Sequence, residues 1–402
     1  MLGLLIAGIA NCLVIVPSAS GQQLDVSKHA QSQLVNTDAK AIFSQASAVL
    51  QSKDGPDDIS CNVTFSLAGS VSTFDLPTPA EVDTPGDFRA VCSRPGYVHV
   101  VNAINDCAGL TRPGIGGCSD TPGKCIIVVR LDIPVPPDEE GLLWAHEYGH
   151  TKGLQHRNDE NALMNPYLGT TERRVNAAEC KAFTGHAQGV ANSRRGTPKP
   201  GIVEFVHRTY AEGIPFELAS SYTREDAQKL IAMLENPDEK PYLTNIVVTL
   251  GMIGDPAAVQ PLRSFIEKGE GHIDSQTLRA KTSALIALGY VVNRHNDESA
   301  LTYLAQGLNP KNWKDKKLKW TLRGTEDAEQ RNISLIKASA LGLGISGTPE
   351  AASALNSAQF TIQAVDPTAS SAVNPVIEHA LSVNKTIQRE GLLKYHLQMR
   401  KQ

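Results

Sequence analysis

The stretch HEYGHTKGLQH, residues 146–156, places three histidines, one glutamate and two glycines within eleven positions. His146 and His150 stand four residues apart, the spacing that projects two imidazoles from one helix face, one turn apart, where a single cation can bridge them. Gly153 permits the left-handed turn that ends a helix, and such a reversal returns His156 toward the first two. Three neutral nitrogens with one side left open are the donor set of a catalytic zinc; a structural site is normally closed by a fourth protein ligand. Glu147 follows the first ligand directly, so it lies beside the metal rather than aimed at it. Zinc lowers the pKa of a bound water toward roughly 7, and a carboxylate within hydrogen-bond reach can take that proton. The chemistry expected of this stretch is metal-assisted hydrolysis. The remaining histidines, His29, His99, His186, His207, His272, His295, His379 and His396, lack such spacing and read as surface or hydrogen-bonded core residues.

A helix has to carry the first pair. PPDEEGLLWAHEYGHTKG opens with Pro136 and Pro137 and an acidic first turn of Asp138, Glu139 and Glu140, which the helix dipole favours. Leu142 and Leu143 lie four residues before His146 and Glu147 and lead an apolar stripe into the site.

The pattern HExxHxxGxxH resembles the zinc site of the metzincin clan of metallopeptidases. ALMNP follows, placing Met164 eight residues after His156, and this is most similar to the matrixin branch. The resemblance implies that Met164 forms a hydrophobic floor under the three imidazoles. It also implies an α+β catalytic domain, a twisted mixed sheet plus helices, with an extended peptide substrate against an edge strand above the metal. RRVNAAECKAF reads as the clan's next helix, capped by Asn176. Pro166 stands where other branches carry a tyrosine, so neither Tyr167 nor Tyr148 is given a role. No pro-segment cysteine motif precedes the domain in this sequence, so latency through a thiol is not expected. Calcium is carried by many matrixin-like domains, but no calcium-loop pattern supports it here.

The apolar run from Leu2 to Val16, followed by Ser18, Ala19, Ser20 and Gly21, reads as a secretory leader over 1–21. It is shorter than the roughly 20 apolar residues a bilayer span needs, and no other segment reads as a span. Apart from Cys12, the cysteines are Cys61, Cys92, Cys107, Cys118, Cys125 and Cys180, all before residue 181. An even set confined to one region behind a leader predicts disulfides in an oxidising, periplasmic or extracellular compartment. Six cysteines allow 15 pairings, which the sequence does not choose among. A net charge of −4 points to neither nucleic acid nor an anionic membrane. The one basic run, KNWKDKKLKW at 311–320, reads as a solvated loop.

Before residue 199 the pattern is mixed. TDAKAIFSQASAVLQS is helical in period; CNVTFSL, GYVHVV and CIIVVRL read as strands. NSRRGTPKPG, 192–201, marks the boundary of a domain spanning 22–198, with a linker and first helix over 199–222. From 223 to 360 the strand signal disappears. Leu-Gly steps recur at Gly251, Gly289 and Gly344, 38 and 55 residues apart, the first near the HEAT period of roughly 40–47. An all-α HEAT-like solenoid is expected there, with 309–330 inserted and a helical tail over 361–402. Such a stack offers a surface for a protein partner or braces its neighbour.

The sequence thus points to a secreted zinc endopeptidase acting on a protein or peptide. His146, His150 and His156 hold the metal and Glu147 acts as general base and acid. Two other readings stand beside it: a HEAT-type scaffold with a structural zinc site, and a zinc amidase with a narrow substrate.

Overall fold

The computed structural model describes residues 20–52, 59–74, 80–131, 137–157, 159, 161–166, 168, 175–185, 199–322, 328–365 and 367–397. The expected leader lies outside these residues except for Ser20 and Gly21, which open the first strand, and most of the expected boundary at 192–201 lies outside them too.

The N-terminal half begins β1 (Ser20–Leu24), β2 (Val26–His29), α1 (Asn36–Gln51), β3 (Val63–Leu67), β4 (Ser72–Phe74), β5 (Glu81–Val82) and α2 (Pro85–Cys92). It continues β6 (Val98–Val101), β7 (Ala103–Ile104), β8 (Asp106–Cys107), β9 (Leu110–Thr111), β10 (Gly117–Ser119), β11 (Ile126–Val129), α3 (Pro137–Thr151) and α4 (Ala177–Phe183). Five strands form one mixed sheet in the order β10-β11-β6-β2-β4; β10 alone runs antiparallel, and it stands at an edge. The apolar run of β11 divides by pleat. Ile126 and Val128 join the core under α1 and α3, while Ile127 and Val129 join a second core beside Val82, Val91 and Phe74. That is why CIIVVRL shows no alternation: both faces of the strand are covered. Aromatic edges fix α3 on the first face, with Phe43 against Trp144 at 5.1 Å and Phe65 against Tyr148 at 4.8 Å between ring centroids. The six cysteines pair as Cys61–Cys180, Cys92–Cys125 and Cys107–Cys118.

The C-terminal half is helix-rich: α5 (Ile202–Val206), α6 (Phe216–Ala219), α7 (Arg224–Met233), α8 (Leu243–Ile253), α9 (Val259–Glu267), β12 (Gly271–Ile273), α10 (Ser275–His295), α11 (Glu298–Gly307), α12 (Pro310–Asp315), β13 (Trp320–Leu322), α13 (Ala328–Ser346), α14 (Pro349–Val365), α15 (Pro367–Glu390) and α16 (Leu392–Leu397). Helices α8, α10, α13 and α15 pack successively side by side, with α9, α11 and α14 against them. The Leu-Gly steps are where these helices touch. A Cβ on Gly251 would lie 2.6 Å from Ala287 Cα, one on Gly344 would lie 3.0 Å from the Ala380 carbonyl oxygen, and one on Gly289 would overlap the Gly342 carbonyl.

Two expectations need correction. Strands do not vanish from this half, since β12 and β13 pair in parallel. The basic run is not simply a solvated loop: it holds most of α12 and the start of β13, and Trp313 and Trp320 are fully buried while Lys314, Lys317 and Lys319 between them are exposed. Two indoles supply enough apolar area to anchor an otherwise charged segment.

The halves meet through buried polar contacts. Lys337 on α13 lies 3.2 Å from Asp83, with Glu81 at 4.0 Å. Burial pushes the Lys337 ammonium down, but Asp83 and Glu81 more than offset this and hold it charged. Near the chain's end, the Thr111 N–H donates to the Tyr395 hydroxyl at 2.8 Å, and His379 lies 2.9 Å from Asp106.

Candidate metal centre

Helix α3 carries His146, Glu147 and His150, all buried. It is seated against the sheet by Leu143, Trp144 and Tyr148, and Gly149 leaves space on its other side: a Cβ there would lie 2.5 Å from the Met164 sulfur. The chain reverses where expected. Gly153 has φ +82°, its N–H donates to the His150 carbonyl at 2.8 Å, and Leu154 N–H returns to Gly149 at 3.1 Å. His156 is thereby brought back to the helix. His150 Nε2 lies 3.1 Å from His146 Nε2 and 3.2 Å from His156 Nε2.

Backbone carbonyls set the orientation of two rings. His146 Nδ1–H donates to Leu163 O and His150 Nδ1–H to Leu154 O, each at 2.8 Å. With the proton on Nδ1, each Nε2 presents a lone pair inward, the outer-shell arrangement typical of metal-bound histidine. The lone pairs of His146 and His150, 3.1 Å apart, repel one another unless a cation or a proton lies between them. The donor set and spacing fit zinc.

Leu163 directly precedes Met164, so this turn positions His146 through its carbonyl. Met164 is fully buried against α3. Beyond it Asn176 caps α4 as expected: its side chain accepts from the N–H groups of Ala178 and Glu179 at 3.0 and 2.9 Å, and Glu179 returns a bond to the Asn176 N–H. Arg157 then ties Glu179 to the histidine loop at 3.0 Å.

Glu147 points toward β10. Ser119 Oγ–H donates to its Oε2 at 2.8 Å, and Oε1 has no hydrogen-bond partner among the described residues. Gly117 makes room for this carboxylate, which a Cβ there would strike. Burial pushes the Glu147 carboxyl up to about 7, against the lowering effect of His150. A carboxyl group poised there can accept and return a proton near neutral pH. It lines an open cleft of about 610 Å³ together with Ser119, Asp120, His150, His156 and Phe88.

The side of the trio expected to stay open faces another protein group. Glu212 Oε1 lies 2.9 Å from His156 Nε2 and 3.4 Å from His150 Nε2, and all four donors fall within 4.8 Å of one another. Burial opposes the charge on Glu212, but His156 and His150 together hold its carboxyl well below the usual range. Neither Glu212 nor Ser119 was identified from the sequence. Glu212 lies beyond the expected domain boundary, 56 residues after His156, and the nearest local hint is the Gly213–Pro215 turn that follows it.

Among known families, the matrixin (peptidase M10) model matches residues 140–181, a short part of the 402-residue chain that contains all three histidines, Glu147 and Met164. A search of curated proteins and a search of solved structures each return no match. The short match and the histidine–glutamate cluster together support a zinc-dependent peptidase in general terms.

Proposed function

We propose that this chain is a secreted zinc endopeptidase in which His146, His150 and His156 hold the metal over a Met164 floor and Glu147 moves the proton. Bound zinc supplies Lewis acidity, making water nucleophilic near neutral pH and polarising the scissile carbonyl. Glu147 does the rest through one atom. Its Oε2 is held by Ser119, so Oε1 is left to take the proton from the attacking water and deliver it to the leaving amine nitrogen. The observation that carries this reading is a buried carboxyl with one oxygen unpartnered, beside three converging nitrogens and facing a cleft.

The stacked helix pairs are read as a HEAT-like module that braces the catalytic half or binds a protein partner. Three disulfides accord with secretion, and among the described residues no helix is long and apolar enough to cross a membrane. One observation favours the rival reading of a structural metal site: Glu212 offers a fourth protein donor. A structural site has no use for Glu147, however, and that residue separates the two.

The test is casein cleavage by the zinc-loaded chain beside Glu147→Ala of equal zinc content. It is run in the wild-type and the Glu212→Ala background, because Glu212 faces the same three nitrogens. Losing the general base is expected to lower turnover by roughly 10²–10⁴-fold. Equal turnover with and without Glu147 would remove the peptidase mechanism.

A further inference from the structure

Strand β10 is a sheet edge, and a second strip of backbone meets it where the strand begins. The N–H groups of Gly116 and Gly117 both donate to the Ala211 carbonyl, at 2.7 and 2.9 Å. On its other side that strip exchanges bonds with the stretch after Met164. Ala211 N–H donates to Pro166 O at 3.0 Å, and Leu168 N–H to Thr209 O at 2.7 Å. This reciprocal pattern is antiparallel pairing. Thr209–Ala211 is therefore held from two sides, the chain turns at Ala211 and Glu212, and the Glu212 side chain enters the histidine trio. Four of the six separations in the donor set, 3.1 and 3.2 Å between nitrogens and 2.9 and 3.4 Å from nitrogen to carboxylate, are close to the edge of a tetrahedron of zinc ligands, and the other two stay within 4.8 Å. Bonds of 2.0–2.1 Å give an edge of roughly 3.3 Å.

We propose that Glu212 is the fourth protein ligand of the metal centre, and that by taking the position a water or substrate carbonyl would need it holds the chain latent. The latency rests on the peptidase reading; the fourth ligand does not.

The helical half is what holds the segment in place. Phe205 and Val206 just before it, and Phe216 and Ala219 just after it, are buried in the helical core. Tyr210 packs in that core as well, and its hydroxyl donates to Phe205 O at 2.8 Å. Ala211, by contrast, is buried in the catalytic core. Arg112 Nη1 donates to the Glu212 carbonyl at 3.0 Å, and Gly213 turns the chain away at φ +78°. Withdrawing Glu212 therefore requires lifting Tyr210 and Phe216 from their packing, or cutting the chain beside them. A segment seated this way keeps Glu212 on the histidines without any separate inhibitor.

The experiment uses the full chain loaded with Co²⁺, whose visible absorption reports its ligands, titrated with acetohydroxamate as a small competing ligand. Wild type is expected to show a four-ligand spectrum that resists the hydroxamate. Glu212→Ala is expected to show a different spectrum at rest and a saturable shift. If the latch is closed in all but about one molecule in a hundred, the variant binds the hydroxamate about 100-fold more tightly. Chelator competition for zinc should show an affinity loss of at least about 10-fold. Glu212→Gln keeps the side-chain volume and hydrogen-bonding capacity, and it gives the same readings should the alanine variant fold poorly. Wild type binding hydroxamate as tightly as both variants, with an identical cobalt spectrum, overturns the fourth ligand. Casein cleavage decides the rest: a rise of at least tenfold in the Glu212 variants supports latency, whereas a cobalt shift without cleavage of any peptide keeps the ligand and removes the peptidase reading along with the latency.

Discussion

Residues 20–185 wrap three disulfides around a sheet covered on both faces, whereas residues 202–397 have no cysteine and join helix to helix where Gly251, Gly289 and Gly344 let backbones meet. The two devices act on opposite sides of the folding equilibrium. A cross-link restricts the unfolded chain, most strongly when it closes a long loop. Close backbone approach adds dispersion contacts only in the folded state. A half that keeps an open cleft beside its core gains most from the first, and one that stacks uniform helices gains most from the second.

Removing the Cys61–Cys180 bridge, which joins residues 119 apart, should have the largest effect. Cys61→Ser with Cys180→Ser is expected to cost about 4 kcal/mol. Hydrogen exchange resolved by peptide should place the lost protection in residues 20–185. Equal loss in α8–α15 would erase the contrast between the halves.

The reciprocal change is Gly289→Ala, which drives one methyl into the Gly342 carbonyl. Overpacking against backbone at that crossing should cost about 3 kcal/mol, with exchange rising in α10 and α13 and the disulfide-bridged half unmoved. A loss below about 0.5 kcal/mol, the ordinary range for a surface change, would mean that the glycines are not what joins the helices.

A smaller effect sharpens the comparison through pH. His99 is buried in β6, with Nδ1 2.7 Å from Ser27 Oγ, and burial lowers its pKa to about 4. The folded state keeps this ring neutral while the unfolded chain protonates it from its ordinary 6.5 downward. Its contribution is thus complete above pH 6.5 and is lost as pH falls toward 4. By pH 5 the loss is about 2 kcal/mol. Urea midpoints of metal-free protein at pH 7.5 and 5 should converge in His99→Phe relative to wild type. An unchanged pH slope in the variant would show that another group carries the acid sensitivity.

The helix that carries the site was readable because its evidence is local. Four-residue spacing fixes His146 against His150, Gly153 fixes the reversal, and Asn176 with Glu179 forms a cap within one turn. The recurring Leu-Gly steps also marked real crossings, although the sequence could not say which helix each glycine touches. Glu212 was illegible for a physical reason. Its place beside His156 is set by the path of α5 and α6 on the helical core, and no spacing rule reaches across that distance. The disulfide pairs were undetermined for the same reason, since only the fold brings Cys61 to Cys180. At 311–320 the lysines concealed two anchoring tryptophans, because charge dominates the composition while Trp313 and Trp320 dominate the buried area.

The Tyr395 hydroxyl that receives the Thr111 N–H is supplied 284 residues later in the chain. Synthesis at roughly 5–20 residues per second puts roughly 15–60 s between the two. During that interval the β8–β9 hairpin beside the cleft has neither this partner nor His379 on α15 for Asp106. The strip that bears Glu212 emerges well before either of them. On the ribosome, then, the mouth of the cleft is lined first, given Glu212 next and braced last.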